Sequence, residues 1–213
     1  MKTKFVLAVI LIFIFSAESA GVTDQDNNVS SILHQLENRV VRIGCVAMGP
    51  SITNYNACQF HGVIFRDQLV LTTKHGTHGY DSFYVEGSTA TAVFKSALYD
   101  YMVVRVNPGY GLDVIKFAHS VGSGDMLFMS EKQGERWDWV GPGKLAEIGS
   151  TELTVYGMKA KSGDSGKPVF NQKGELVGLV RAVRNEYTYL LPANIIEEQL
   201  LTIDREIGPY FFK

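Results

Sequence analysis

The chain has 213 residues, 46% of them hydrophobic, with a formal charge of −2. That length permits one compact unit, or two small ones sharing an interface, around a sizeable core. Near-balanced charge gives no electrostatic reason to propose a nucleic-acid partner, and no internal sequence repeat or low-complexity tract is present.

Lys2 and Lys4 precede an apolar run over 5–15, and Ser16-Ala17-Glu18-Ser19-Ala20 follows. A basic start, a short apolar middle and a small-residue end describe a secretory signal peptide over 1–19. Small residues at Ala17 and Ser19 place the cleavage after Ser19. An uncleaved membrane segment is the alternative, but an apolar run of this length falls short of a span. Either way the remainder is expected to be secreted or extracytoplasmic, with no stable membrane association once the signal is removed.

Residues 20–38 form a polar lead. Its second half, 30–37, has a short helical pattern capped by Ser30 or Ser31. Asn28-Val29-Ser30 is a glycosylation sequon, meaningful only in a eukaryotic secretory pathway. From residue 40 the pattern turns to short β runs, at about 40–47, 57–65, 69–73, 82–86, 90–97 and 101–106. A Gly/Pro-rich crossing, Asn107-Pro108-Gly109-Tyr110-Gly111, separates them from further runs at about 113–118, 126–130, 136–140, 144–148, 152–158, 168–171, 175–183 and 186–191. Many short strands with frequent turn signals indicate an all-β sandwich or barrel. The crossing divides the chain into halves at 39–110 and 111–213. After the lead, only 193–201 has helical spacing, carried by Ile195, Ile196, Leu200 and Leu201 behind Pro192.

Cys45 and Cys58 lie on the apolar parity of two strand-like runs. Folded as a hairpin around Gly49-Pro50-Ser51, they fall opposite each other, with Ile43 facing Phe60. In an oxidising compartment this reads as one disulfide; in the cytosol it reads as two buried thiols. A metal site needs more ligands than this pair has nearby.

Gly163-Asp164-Ser165-Gly166 is the stretch that carries chemistry. The glycines let the backbone turn sharply, so that the serine hydroxyl projects. The same turn can aim the N–H groups of Gly163 and Ser165 at one point, where an oxyanion would develop. Pro168-Val169-Phe170, a turn at Asn171-Gln172-Lys173-Gly174 and a second apolar run then read as a hairpin.

A serine ahead of such a hairpin resembles the trypsin-like (chymotrypsin-fold) serine peptidases, particularly their compact bacterial and viral polyprotein-processing branches. The resemblance covers roughly 40–201. It implies two six-stranded antiparallel β-barrels with a short closing helix, and a base, a carboxylate and a nucleophile in the order His, Asp, Ser. Val70-Leu71-Thr72-Thr73-Lys74-His75 is similar to the family segment that carries the base, with His78 as its rival three residues later. A zinc site from His61, His75 and His78 lacks a helical or Cys-rich ligand frame. Tyr99-Asp100-Tyr101-Met102-Val103-Val104 resembles the segment with the orienting aspartate. Asp100 shares parity with Met102, Val104 and Val106, so it enters an apolar face where its hydrogen bonds must be satisfied; an exposed Asp100 with Tyr101 facing inward is the other arrangement. Asp81 lies too close to the His75 loop to serve better, and Glu86 lacks the apolar strand that follows Asp100.

The family also implies hydrolysis of polypeptides without metal or cofactor. Departures from its pattern are specific. No Ile-Val-Gly-Gly start follows the signal region, so Asp164 needs another partner, a nearby lysine or backbone N–H groups. Lys167 replaces a small residue, and Arg181 stands beside the expected substrate-binding edge, where it can pair with Asp100 and loosen its hold on His75. That placement keeps a catalytically silent binding barrel as one alternative; a protease domain from a viral polyprotein is another. By the family's spacing, Lys159 and Ala160 stand at the base of the specificity pocket, with Val180 and Ala182 opposite. A lysine there favours Glu or Asp before the scissile bond, with Arg181 or Arg184 as helpers; a small or apolar preference is the competing expectation.

Overall fold

Alternating side chains on short strands need two apolar environments, and the architecture supplies them. The computed structural model of the chain describes residues 24–45, 58–77, 80, 82–133 and 136–212. The signal region 1–19 and the turn at Gly49-Pro50-Ser51 lie outside the described residues. Strands β1 (Val40–Cys45), β2 (Gln59–Arg66), β3 (Leu69–Thr72), β4 (Ser82–Val85), β5 (Ser88–Lys95) and β6 (Met102–Val106) close one antiparallel barrel. Strands β7 (Met126–Gln133), β8 (Arg136–Ile148), β9 (Leu153–Tyr156), β10 (Pro168–Asn171), β11 (Leu176–Arg184) and β12 (Tyr187–Pro192) close the second. Around the first barrel the order is β1-β2-β3-β6-β5-β4, and around the second it is β7-β8-β9-β12-β11-β10. One topology is therefore used twice, in a chain without an internal sequence repeat.

Parity sorts the side chains. On β2, Phe60 and Ile64 fill the first barrel, while Val63 and Phe65 point to the other face. On β6, Met102, Val104 and Val106 point inward; Tyr101, just ahead of the strand, and Val103 point outward. The second barrel is filled by residues such as Leu127, Val155, Val177, Val180 and Leu190. The outward sets of both barrels meet in a third cluster: Phe65, Leu71, Tyr101 and Val103 pack with Phe170, Leu176, Leu179 and Leu191. This inter-barrel core is sealed by α1 (Asp24–Leu36) through Leu33 and Leu36, and by α2 (Ala193–Ile207) through Ala193, Ile196 and Leu200.

Three local expectations are corrected. The lead helix starts at Asp24, so Ser30 and Ser31 lie inside it and do not cap it. Val29, Ile32, Leu33 and Leu36 share one face of the helix, and that face carries it across the β10–β11 turn, where a side chain at Gly174 would meet Ile32. Residues 113–118 do not form a ladder strand; Phe117 makes one parallel bridge to Leu176. The segment threads between the barrels, with Ile115 N–H donating to Phe65 C=O (2.7 Å) and Ala118 N–H to Leu176 C=O (2.8 Å), and it gives Ile115 and Phe117 to the shared core. The runs at 136–140 and 144–148 are one strand, β8; its pairing with β7 shifts register between Leu127 and Met129, opposite Gly141-Pro142. A bulge absorbs the proline without ending the strand.

Cys45 and Cys58 are disulfide-bonded, with Cα atoms 5.1 Å apart and 13 residues of separation. The bond staples β1 to the start of β2. Chain-entropy reasoning for a loop of this size gives a loss of about 2–4 kcal/mol when it is removed. A Cys45→Ser/Cys58→Ser variant should show that loss in urea unfolding, and intact protein should give one linked peptide in non-reducing mass spectrometry.

Candidate active site

Ser165 stands on a turn built from residues 161–167, directly before β10. Gly163 and Gly166 have φ of +95° and +82°, in the region that favours glycine. At Gly166 the need is also steric, since a Cβ would collide with the carbonyl of His61 and the hydroxyl of Thr72. The turn is tied to both barrels: His61 N–H donates to Ser165 C=O (3.0 Å), and Gly166 N–H donates to Val180 C=O (2.8 Å). Asp164 and Lys167 are almost completely buried, and their carboxylate and ammonium lie 2.7 Å apart. The other carboxylate oxygen of Asp164 accepts from Lys161 N–H (2.8 Å). Of the two partners expected for Asp164, the geometry supplies both. Among the described residues the N–H groups of Gly163 and Ser165 donate to no protein acceptor.

His75 opens a 3-10 turn, His75–Thr77, just after β3, and Asp100 lies just ahead of β6, separated from it by Tyr101. Because β3 pairs with β6, with Thr72 opposite Met102, the two residues leave neighbouring strands side by side. Lys74 N–H donates to Asp100 C=O (3.4 Å), and His75 N–H donates to Asp100 Oδ1 (2.9 Å). The ring follows the backbone: His75 Nδ1 lies 2.6 Å from Asp100 Oδ2, and Nε2 lies 3.0 Å from Ser165 Oγ. A carboxylate only accepts, so Nδ1 carries the hydrogen, and the neutral ring presents Nε2 as acceptor for the serine hydroxyl.

The loop before Asp100 is braced from the second barrel. Gln199 on α2 accepts from Tyr101 Oη (2.6 Å) and from Ser96 Oγ (2.8 Å), and Ser96 Oγ in turn accepts from the N–H groups of Leu98 and Tyr99. Electrostatics follow the geometry. The hydrogen bond to Asp100 raises His75 above the ordinary histidine value, against burial and the charge of Arg181. Burial alone would push Asp100 up; hydrogen bonds from the His75 ring and backbone, with the charges of His75 and Arg181, hold it below the usual aspartate value.

Pairing of β11 with β12 shifts between Val180 and Ala182, so Arg181 is the extra residue and both Arg181 and Ala182 are exposed. The bulge re-aims Arg181 toward Asp100: its Nε lies 3.9 Å from Asp100 Oδ2, and its Nη1 lies 3.2 Å from Glu152 Oε2. Val180 turns its side chain into the second barrel, where Ala160 also packs. Lys159 is exposed, and among the described residues it has no partner. Arg184 is exposed at the end of β11, and His78 lies outside the described residues.

Sequence reasoning gave His61 no role at the turn and gave Glu152 none at all. His61 Nδ1 lies 3.1 Å from Gly163 C=O, and burial, followed by the charge of Lys167, pushes its pKa down to about 4. The ring is therefore neutral near pH 7, and Nδ1–H donates to that carbonyl. Its one sequence signal is a parity opposite to Phe60 and Ile64; nothing in the sequence points to a partner 102 residues away.

A family model described as a trypsin-like peptidase domain matches residues 61–179, more than half of the chain. The serine endoprotease of Yersinia pestis superposes with a TM-score of 0.68 at 17% identity, covering 84% of this chain and 67% of that one. An inactive form of Rv3671c from M. tuberculosis H37Rv superposes at 0.66 with 19% identity, over 83% of this chain and 92% of the other. A second inactive form of the Rv3671c protease gives 0.65 at 19% identity, over 83% and 93%. At such identity these likenesses speak for the fold, the double antiparallel barrel of the chymotrypsin-like kind. No curated relative matches the chain. With its family match spanning 61–179, the chain belongs to the trypsin-like peptidases.

Proposed function

We propose that the protein is a serine endopeptidase that works outside the cytoplasm and cleaves polypeptides through an acyl-enzyme. The observation that carries this reading is the His75 ring, 2.6 Å from Asp100 on one side and 3.0 Å from Ser165 Oγ on the other. Ser165 Oγ attacks the substrate carbonyl as its proton passes to His75 Nε2, and Asp100 holds the tautomer and stabilises the imidazolium. The N–H groups of Gly163 and Ser165 take the oxyanion. Collapse of the intermediate breaks the C–N bond, and the amine leaves with the proton from His75. Water then repeats the sequence on the acyl-enzyme and frees Ser165.

Arg181 is the feature that argued for a silent barrel, and distance decides its weight. It stands 3.9 Å from Asp100 and shares its guanidinium with Glu152, whereas His75 holds Asp100 with two bonds of 2.6 and 2.9 Å. An exposed cation at that range tunes the pair and does not break it. The role of Lys167 is to neutralise Asp164, so that a buried carboxylate can brace the Gly163–Ser165 turn. On the acyl side, exposed Lys159 with Arg181 and Arg184 supports Glu or Asp before the scissile bond.

Ser165→Ala should abolish both labelling by a fluorophosphonate probe and peptide hydrolysis, with an unchanged circular dichroism spectrum; equal labelling of both proteins would refute the nucleophile. The ascending limb of kcat/KM against pH reports neutral His75. Since Asp100 raises the pKa of that ring, the limb should lie above the ordinary value of about 6.5. Arg181→Gln removes a charge that opposes protonation and should move the limb to higher pH. Lys167→Met strands a buried carboxylate and should cost about 3–5 kcal/mol in urea unfolding, with part regained on adding Asp164→Asn. In a peptide library, acidic residues before the cleaved bond should dominate, and Lys159→Ala should reduce that dominance by about tenfold.

A further inference from the structure

The turn that carries Ser165 has two flanks. One faces β11, through the bond from Gly166 to Val180. The other faces β2, and there a cleft of about 320 Å³ opens beside Gly163, with no β11 residue in its lining. With the acyl half of a substrate on β11, the strand of Arg181 beside which the family resemblance puts the substrate-binding edge, this second cleft receives the residues that follow the scissile bond.

The cleft is polar, and its charges resolve pair by pair. Lys161 is paired with Glu131. Lys167 is buried against Asp164. His61 is neutral near pH 7 and is bonded to Gly163 C=O. Arg42 is what remains. It lies opposite His61 in the β1–β2 ladder, on the face that also carries Gln59. Its backbone N–H takes Glu86 Oε1 (2.7 Å), yet among the described residues its guanidinium has no ion-pair partner. Among the residues that line the cleft, two neutralised pairs, a neutral imidazole and one guanidinium without an ion-pair partner leave a single excess positive charge, next to the turn that carries Ser165; Glu86, on the backbone side of Arg42, lies outside the lining.

We propose that this cleft selects an acidic side chain one or two residues after the scissile bond, with Arg42 as the cation that recognises it. The guanidinium fork matches a carboxylate in two parallel hydrogen bonds, and Gln59 can donate a third from the same face. Glu131 does not oppose this, since Lys161 holds it.

The test measures kcat/KM for matched peptides carrying Glu, Gln or Lys at those two positions, with fluorophosphonate labelling run alongside. Wild type should favour Glu over Gln by about tenfold at one of them. Arg42→Gln should erase the preference. Arg42→Glu should invert it toward Lys, a gain that an unfolded variant cannot give. Equal rates for Glu and Gln in a wild type that labels and cleaves would overturn the assignment of the cleft and leave the peptidase reading standing. An acidic preference undiminished in Arg42→Gln would overturn the role of Arg42. A wild type that neither labels nor cleaves would overturn the reading on which the assignment rests.

Discussion

The docking of the two barrels is the constraint on which the site depends, because Ser165 stands on one barrel and His75 and Asp100 stand on the other. The apolar residues beside the site are themselves part of the shared core. Leu71 is adjacent to Thr72, Tyr101 to Asp100, and Leu179 to Val180, and all three pack between the barrels. Interiors are packed at crystal-like density, so this interface has little freedom to slide. The 3.0 Å approach of His75 Nε2 to Ser165 Oγ rests on that rigidity, and under the proposed mechanism a displacement of about 1 Å would cost about 100-fold in rate.

Polar contacts refine what apolar packing sets. His61 reaches the serine turn twice, by its N–H to Ser165 C=O and by its ring to Gly163 C=O. Thr72 completes the seam by donating to the His61 carbonyl (2.5 Å). From the opposite side, Gln199 ties α2 to Ser96 and Tyr101, so a helix of the second half braces the loop that ends in Asp100. Each of these bonds crosses between the halves of the chain or supports a residue that does.

Charge is handled differently at two depths. Asp164 and Lys167 are buried together; removing either partner would leave an uncompensated ion, so the pair acts as one structural unit. Arg181 and Glu152 are exposed, and solvent screens them. The same sign of charge thus has different consequences: a lysine in the interior fixes the turn, while an arginine at the rim adjusts the electrostatics of His75 and Asp100. Around Gly163 the pairing of Lys161 with Glu131 and of Lys167 with Asp164 leaves Arg42 to define the sign of the β2-side cleft.

Period-two patterning and turn chemistry are local, and they determined much from sequence alone. The alternation around Phe60–Ile64 and Met102–Val106 is enough to read an all-β chain, and the Gly163-Asp164-Ser165-Gly166 turn and the strand that leads to His75 are visible without a fold. The nearby lysine for Asp164 was legible for the same reason, since the two are three residues apart. Other features belong to the tertiary structure. The parity of β6 could not decide between Tyr101 and Met102, because both are buried, one between the barrels and one inside. Residues 113–118 read as a strand because they alternate, yet their hydrogen bonds run to both barrels and not to a ladder. The bulge that turns Arg181 toward Asp100 adds one residue to a strand whose pattern carries no mark of it. His61 meets Gly163 only because two barrels dock, and contacts between residues 102 apart are set by that packing and not by any neighbour in the chain.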